Sequence, residues 1–333
     1  MRLGIIGATG AVGQELLKCI EERNFPFTEL VLLASSRSAG TKIDFMGKTY
    51  TVEETTENSF DNLDMALFAG GPASRAFGRL AQSKGVVVID NSSTFRMDDD
   101  VPLVVPEVNP EALDNHKGLI ANPNCSTIIM VAAIYPIHQY ANIKRVIVST
   151  YQAVSGAGKE GIDELEEQIK QVLNGEATKP EVFAKQIAFN VVPRIDVWVD
   201  EDYTKEEMKM VWETQKIFGV PNLAITATTV RVPVFRSHSE SIYIETEKPI
   251  DADKAREILK NAPGVILQDD PENEVYPTPL ETSTKDEVFV GRIRNDLYTE
   301  NALNMWVVSD QIKKGAALNT VQIAEEMIKR NLI

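Results

Sequence analysis

Only two cysteines, Cys19 and Cys125, occur among 333 residues, and they form no C-x-x-C pair. That excludes a disulfide framework and a cysteine-rich zinc site, and it makes a reducing compartment the default. Basic charge is also in short supply: 34 Lys plus Arg stand against 49 Asp plus Glu, a net charge of −15. Nucleic-acid and anionic-membrane binders need a basic footprint, so neither class is expected. An anionic small substrate would have to be held by a local cluster of cations working against the overall field. Long apolar runs are missing as well. The stretch from Ile128 to Ile137, interrupted by Tyr135 and Pro136, falls well short of the ~20 residues of a spanning helix. The opening Met1 to Gly7 runs straight into a strand and a glycine loop, without the h-region and cleavage site of a signal peptide. A cytoplasmic protein with no transmembrane segment and no metal site is the expectation.

What remains is the composition of an ordinary globular protein, 43% hydrophobic and 25% charged, far from disordered or fibrous classes. At ~100 to 200 residues per domain the length suggests about two domains. The first third alternates short apolar runs with helical patterns, the form of βαβ units and a parallel sheet. Leu3 to Ile6, Leu30 to Ala34, Met65 to Ala69, Val86 to Asp90 and Leu119 to Asn122 read as strands. A helix from Ala11 to Arg23 carries Val12, Leu16, Cys19 and Ile20 at helical spacing, which places Cys19 in the core. A helix from Ser126 to Tyr140 then leads into a β-rich half, with strands at Lys144 to Tyr151, Ala224 to Val234, Ser241 to Glu247, Glu287 to Arg294 and Leu303 to Ser309. Long, alternating strands of this kind suit a mixed or antiparallel sheet with helices on one face. Helices at Lys159 to Asn174, Lys205 to Phe218 and Ala252 to Lys260 would supply that cover. The final helix, Ala316 to Arg330, is expected to return to the first domain, and Gln268 to Thr284 reads as an exposed loop. The fold class is therefore α/β: a Rossmann-like dinucleotide-binding domain over residues 1–125, completed by a C-terminal helix at 311–333, and an α+β domain with a mixed sheet over 126–310.

Directly after the first strand comes Gly7-Ala8-Thr9-Gly10-Ala11-Val12-Gly13. Small residues in such a turn let the backbone approach a pyrophosphate, whose charge meets the free N–H groups of the helix that follows. The motif alone is weak, and a plain tight turn is the alternative; its place between a strand and an amphipathic helix favours dinucleotide binding. The second strand ends not in Asp or Glu but in Ser35-Ser36-Arg37-Ser38. A cation with hydroxyls suits a 2′-phosphate, so NADP is preferred over NAD, against the alternative of a solvated loop arginine.

Cys125, in Asn122-Pro123-Asn124-Cys125-Ser126-Thr127, stands where an apolar helix begins. A helix N-terminus stabilises a thiolate and offers N–H groups to an oxyanion. Position alone leaves nucleophile and inert capping-region thiol equally open. Of the three histidines, His116 lies in a polar turn and His138 in a helix, which are surface or packing positions. His238 is left as the side chain whose ordinary pKa lies near neutrality. Arg231 alternates with Val230 and Val232, so it is expected to point away from the face on which those valines pack. Arg96 follows the strand ending at Asp90, at the carboxyl edge where open α/β sheets bind ligands. Glu213 and Lys216, three apart on a helix, share a face, as a solvated salt bridge also would.

The glycine loop at 7–13, Asn-Cys-Ser-Thr at 124–127, Gln-Ala-Val-Ser-Gly-Ala-Gly at 152–158, and Arg231 followed by Arg-Ser-His-Ser-Glu at 236–240 together resemble the aspartate-semialdehyde dehydrogenases over nearly the whole chain. The resemblance implies NADPH-dependent reductive dephosphorylation of aspartyl 4-phosphate to aspartate 4-semialdehyde, and the reverse, within lysine (diaminopimelate), threonine and methionine biosynthesis. It implies Cys125 as the thioester nucleophile, His238 as the acid-base residue and Gln152 as a holder of the bound aldehyde. Arg231 would bind the substrate carboxylate, Arg96 and Lys216 phosphate, and Glu213 the substrate amino group, with Asn124 beside the nucleophile in the substrate site. Gly7, Thr9, Gly10, Ala11, Val12, Gly13, Ser36, Arg37 and Ser38 would hold the cofactor, with Ser155, Gly156 and Gln311 at its nicotinamide half. A catalytic and dimerisation role for the second domain follows, and with it a homodimer or dimer of dimers acting on aspartate semialdehyde and phosphate. An N-acetyl-glutamyl-phosphate reductase is the alternative, sharing the loop, the cysteine and acyl-phosphate chemistry. The segment from Val182 to Asp202 carries no assignable motif.

Overall fold

A computed structural model describes residues 1–333, the side chain of Asp200 excepted. The chain divides into two units, Met1–Asn124 with Gly315–Ile333, and Cys125–Lys314. The sequence expectation set the first break one residue later and the return at 311; the structure instead keeps Cys125 with the helix it opens, and brings the chain back at Gly315.

In the first unit β1 (Arg2–Ile6), α1 (Ala11–Glu22), β2 (Glu29–Ala34), β3 (Lys42–Phe45), β4 (Lys48–Thr51), β5 (Glu53–Glu54), β6 (Met65–Phe68), α2 (Gly71–Ser83), β7 (Val87–Asp90) and β8 (Leu119–Ala121) follow one another. The main sheet runs β5-β2-β1-β6-β7-β8, and every pairing in it is parallel. Its central strands are apolar throughout because both faces are covered; Leu3, Ile5, Ile6, Met65 and Leu67 are fully buried. Strand order reverses at β1, which puts the loop after β1 at the switch point of the sheet. The hairpin of β3 and β4, turned by Met46 and Gly47 at positive φ, went unread in the sequence because its strands are short and polar.

The second unit opens with α3 (Cys125–Ala141), then β9 (Ile143–Gln152), α4 (Lys159–Leu173), α5 (Lys205–Phe218), β10 (Ala224–Arg231), β11 (His238–Thr246), α6 (Ala252–Lys260), β12 (Val265–Leu267), α7 (Pro279–Thr282), β13 (Val288–Asn295) and β14 (Ala302–Ser309). The sheet order is β10-β9-β11-β14-β13-β12, parallel at both edges and antiparallel between. Alternation sends Val146, Val148, Ile242, Ile244, Leu303 and Met305 to the face packed under α3, α5 and α6. The opposite face carries Ile147 and Tyr151, with the Tyr151 and Trp306 rings 5.4 Å apart. The expected exposed loop at 268–284 contains a bridge between Asp270 and Val275 and the short α7. Finally α8 (Leu318–Lys329) belongs to the first unit, where Leu318, Val321, Ala324 and Met327 join the core with Leu16 and Ile20 of α1.

Candidate active site

In the first unit the glycine loop is shaped by contacts that leave no room for side chains. A Cβ on Gly13 would lie 2.2 Å from the Gly7 carbonyl oxygen, and Gly7 itself sits at φ +86°. Gly10 caps α1 in an extended conformation with no side-chain acceptor, so the first helical N–H groups face outward as an anion site requires. Thr9 and Val12 are half-buried, and Gly10 and Ala11 are exposed beside them. Beyond β2, Ser36 and Arg37 are exposed and Ser38 half-buried. No hydrogen bond or ion pair engages the Arg37 side chain among the described residues, which fits a cation waiting for a 2′-phosphate. Arg96 is 7% exposed. Its Nε donates to the Asn122 carbonyl at 2.9 Å and an Nη to that of Asn91 at 2.8 Å, so the residues just past β7 and β8 hold the guanidinium. Asn124, the last residue before α3, is buried.

In the second unit Cys125 is the first residue of α3 and half-buried. The remaining candidates meet through sheet register. Arg231 at the end of β10 pairs with Gln152 at the end of β9. Across from them His238 starts β11 opposite Ser309 of β14, with its Nε2 3.3 Å from Gln152 Nε2. Arg231, Gln152 and His238 thus form one row across three strands, on the same face as Thr229, Thr150 and Glu240 of the next row. Two expectations are corrected here. Arg231 lies on the helix-covered face with buried Ala227 and Thr229, not away from the packing, because the buried face of β10 is the one opposite Val230. And β11 starts at His238 rather than Ser241: Ser237, at φ +71°, turns the chain into the strand, and Gln311 Oε1 accepts the Ser237 N–H at 2.8 Å.

Ser155 and Gln311 are joined, Gln311 Nε2 donating to Ser155 Oγ at 2.5 Å. Gly156 is there for closeness: a Cβ would stand 2.8 Å from an Arg231 Nη and 3.3 Å from the His238 ring. Glu213 is buried at 2% exposure and Lys216 half-buried, so the carboxylate does not lie on a solvated face.

Sequence reading missed Glu206 and Lys209. Glu206 accepts from Gln152 Nε2 at 3.2 Å and pairs with Lys209 at 2.9 Å, which also reaches Asp196 at 2.8 Å. The signal was present, since Glu206, Lys209, Glu213 and Lys216 recur along one face of α5. That helix is set by a capping box, in which Thr204 accepts the Glu207 N–H and the Glu207 carboxylate accepts the Thr204 N–H. Its other oxygen accepts the Thr229 N–H at 3.0 Å, tying the helix start to β10. The unassigned segment also acquires a place. Val192 exchanges backbone hydrogen bonds with Arg231 at 2.8 and 2.9 Å, and the Phe183 ring lies 5.7 Å from the Arg231 guanidinium. Together with Arg194 and Asp196 they line a cavity of about 310 Å³.

Electrostatics follows from this burial. Burial lowers the Arg231 pKa, partly offset by the charges of Glu206 and Cys125, so the thiolate and the guanidinium feel each other. Burial and then Arg231 push His238 down to about 3, against a weaker pull from Glu206. For Lys209, burial acts downward, but the carboxylates of Glu206 and Asp196 outweigh it and leave it above the usual lysine value. A thiol at a helix start, an imidazole beside an amide, and a buried guanidinium compose a site for nucleophilic attack on the carbonyl of an anionic substrate.

Comparison with known proteins gives the arrangement its family. The profile of the semialdehyde dehydrogenase NAD binding domain matches residues 2–116, and that of the semialdehyde dehydrogenase dimerisation domain matches 134–314. A relative from Aquifex aeolicus named aspartate-semialdehyde dehydrogenase is 57% identical over 100% of this chain and 99% of its own. The chain belongs to the aspartate-semialdehyde dehydrogenase family. A solved structure of this family, aspartate semialdehyde dehydrogenase II from Vibrio cholerae complexed with ASA, superposes with a TM-score of 0.96 at 48% identity over 98% of both chains. A more distant member from Candida albicans, solved with NADP, gives a TM-score of 0.77 at 25% identity, covering 100% of this chain and 99% of its own. The chain is accordingly an oxidoreductase with a nicotinamide-dinucleotide domain and a dimerisation domain, and the reductase of N-acetyl-glutamyl phosphate is not the favoured reading. No helix among the described residues is long and apolar enough to cross a membrane.

Proposed function

We propose that this chain interconverts L-aspartyl 4-phosphate and L-aspartate 4-semialdehyde with NADP as its cofactor, through a thioester on Cys125. The observation that carries this reading is the second unit's row: Arg231 and His238 flank Gln152 on one sheet face, in the unit that opens with Cys125 at the start of α3. Bound in the glycine loop, NADP supplies the oxidant that accepts a hydride, or NADPH returns it. The protein does the rest. Cys125 attacks the carbonyl carbon, its thiolate favoured by the helix N-terminus. Gln152 holds the bound aldehyde, His238 serves as the acid-base residue, and Arg231 takes the substrate carboxylate through its planar fork. Glu213 serves the substrate amino group, and Arg96 and Lys216 serve phosphate, with Asn124 beside the nucleophile. Splitting acyl transfer into thioester formation and phosphorolysis replaces one hard step by two easier ones.

Arg37, exposed and unengaged, supports NADP over NAD, with Ser36 and Ser38 beside it; Ser155, Gly156 and Gln311 are assigned to the nicotinamide half. The first unit is assigned as the cofactor domain and the second as a catalytic, dimerising domain. The open sheet face bearing Ile147, Tyr151 and Trp306 fits a homodimer, alone or paired into a dimer of dimers, working in the cytoplasm. The test is spectrophotometric: NADPH must form when aspartate semialdehyde, phosphate and NADP are combined, and must fail to form when phosphate is omitted after the first turnover. Formation at full rate without phosphate would sink the thioester–phosphorolysis scheme.

A further inference from the structure

The segment that begins at Val182 and carries no motif is tied down beside Arg231. Two side chains of α4 hold its start. The Glu164 carboxylate accepts the N–H groups of Glu181, at 3.0 Å, and of Val182. One turn on, Gln168 is 1% exposed. Its Oε1 accepts the N–H groups of Ile187 at 2.8 Å and Ala188 at 3.2 Å, and its Nε2 donates to Glu164 at 2.9 Å. Ile187, Ala188 and Val192 are buried with Val154 and Leu165 in a small apolar cluster separate from the main core of the unit, and Phe183 packs against it. Gly161 makes room for that ring, since a Cβ there would lie 3.1 Å from Phe183 Cζ. The ring also faces Arg231, whose guanidinium carbon stands 5.7 Å from its centroid.

Arg231 is 7% exposed, and its Nη1 donates to the Ala153 carbonyl at 2.6 Å. Among the described residues no other hydrogen bond or ion pair engages the guanidinium, so most of its five N–H hydrogens are unspent. Burial opposes the charge. An aromatic face attracts a cation through its quadrupole and consumes none of the cation's hydrogens. A carboxylate in the place of Phe183 would instead compete with an anionic ligand for them. Resting on the proposed function, we infer that Phe183 is a positioning residue for substrate recognition: its ring and the Ala153 carbonyl fix the Arg231 guanidinium, so that the unspent N–H groups meet the substrate carboxylate in the cavity of about 310 Å³ that Phe183 and Arg231 both line. Phe183 acts through Arg231 and touches no reacting atom. An arginine held in one orientation before substrate arrives has already lost the rotamer freedom that a loose one would lose on binding. An aliphatic side chain in the place of Phe183 fills much of the same space but has no negative face to hold the cation.

The experiment measures initial rates of the full-length enzyme with aspartate semialdehyde and phosphate varied in turn. Phe183→Leu should raise KM for the semialdehyde by roughly 3- to 30-fold, the worth of a partly desolvated cation–π contact, while KM for phosphate and kcat stay within about twofold. Phe183→Tyr keeps the ring face and should restore the semialdehyde KM to within about twofold of wild type. In an Arg231→Gln background, which leaves no cation for the ring to hold, adding Phe183→Leu should change that KM by less than about twofold. Should Phe183→Leu fail to fold, Glu164→Ala, which releases the backbone just before Phe183, is held to the same selective rise. An unchanged semialdehyde KM, an equal rise for semialdehyde and phosphate, a Tyr variant as impaired as the Leu variant, or additive effects of Phe183 and Arg231 would each overturn the inference and leave Phe183 a packing residue. Failure of the proposed function is read separately, as absence of phosphate-dependent NADPH formation by the wild-type enzyme.

Discussion

The glycine loop and the Arg231–Gln152–His238 row are built by opposite means. In the loop, seven consecutive residues make the whole feature, and its decisive contact, Gly13 against the Gly7 carbonyl, spans six positions. In the row, three side chains come from strands that end or begin at 152, 231 and 238 and meet only through the pairings of β10 with β9 and β9 with β11. A local feature fails through its own backbone, whereas an assembled one fails through loss of a side chain while the frame stands. The next row teaches the same lesson from below. Thr229, Thr150 and Glu240 lie between the functional row and the apolar layer of Ala227, Val148 and Ile242. There Glu240 is fully buried, with no hydrogen bond to either oxygen among the described residues.

The sharpest test of the contrast is Cys125→Ala. Turnover should vanish, while NADP binding, followed by fluorescence titration, and far-UV circular dichroism stay as in the wild type. Phosphate-dependent NADPH production by a clean preparation would falsify covalent catalysis. Gly13→Val should do the reverse: the added side chain collides with the Gly7 carbonyl, so NADP binding or folding is lost, and intact affinity would refute the loop's close approach. His238→Asn should lower kcat by about 10² to 10⁴ with little change in KM, the range of a group acting on the reacting oxygen or its proton. A wild-type kcat in that variant would remove His238 from the chemistry. Arg37→Ala should narrow the preference for NADP over NAD by roughly 10- to 150-fold, the value of a charge-assisted contact of about 1.5 to 3 kcal/mol. Equal weakening of both cofactors would mean that Arg37 supports the loop instead.

The smallest effect concerns the second row and is read in stability. Burial holds the Glu240 carboxyl well above the usual range. Above about pH 4.3 an unfolded glutamate ionises while the folded one keeps its proton. The folded state then binds more protons, and stability falls as pH rises. Glu240→Gln should remove that loss, raising the melting temperature at pH 8 more than at pH 5. An equal shift at both values would show that the carboxyl ionises normally in the folded protein.

Much of this protein was legible in order along the chain. The loop, the absence of an acidic residue after β2, the thiol at the start of α3 and the amphipathic α5 each rest on residues a few positions apart, where spacing translates directly into geometry. The family resemblance then attached roles to residues that spacing alone left open, Gln152 and Glu213 among them. The sequence could not show that Glu206 and Lys209 join the row, that Phe183 lies over Arg231, or that the buried face of β10 is the one bearing Arg231. Those facts depend on which strands pair and in what register, and a shift of one residue would send every side chain of a strand to the other face. The polarity of a site residue made this worse: in β10, Arg231 breaks the apolar pattern by which a buried face is recognised. The sequence by itself therefore determined the cofactor loop and the identity of the reactive groups, because short-range backbone and helix geometry suffice for them. Only the tertiary structure decided that Ala153, Gln152 and Glu206 gather around His238, because those hydrogen bonds join residues up to 86 positions apart.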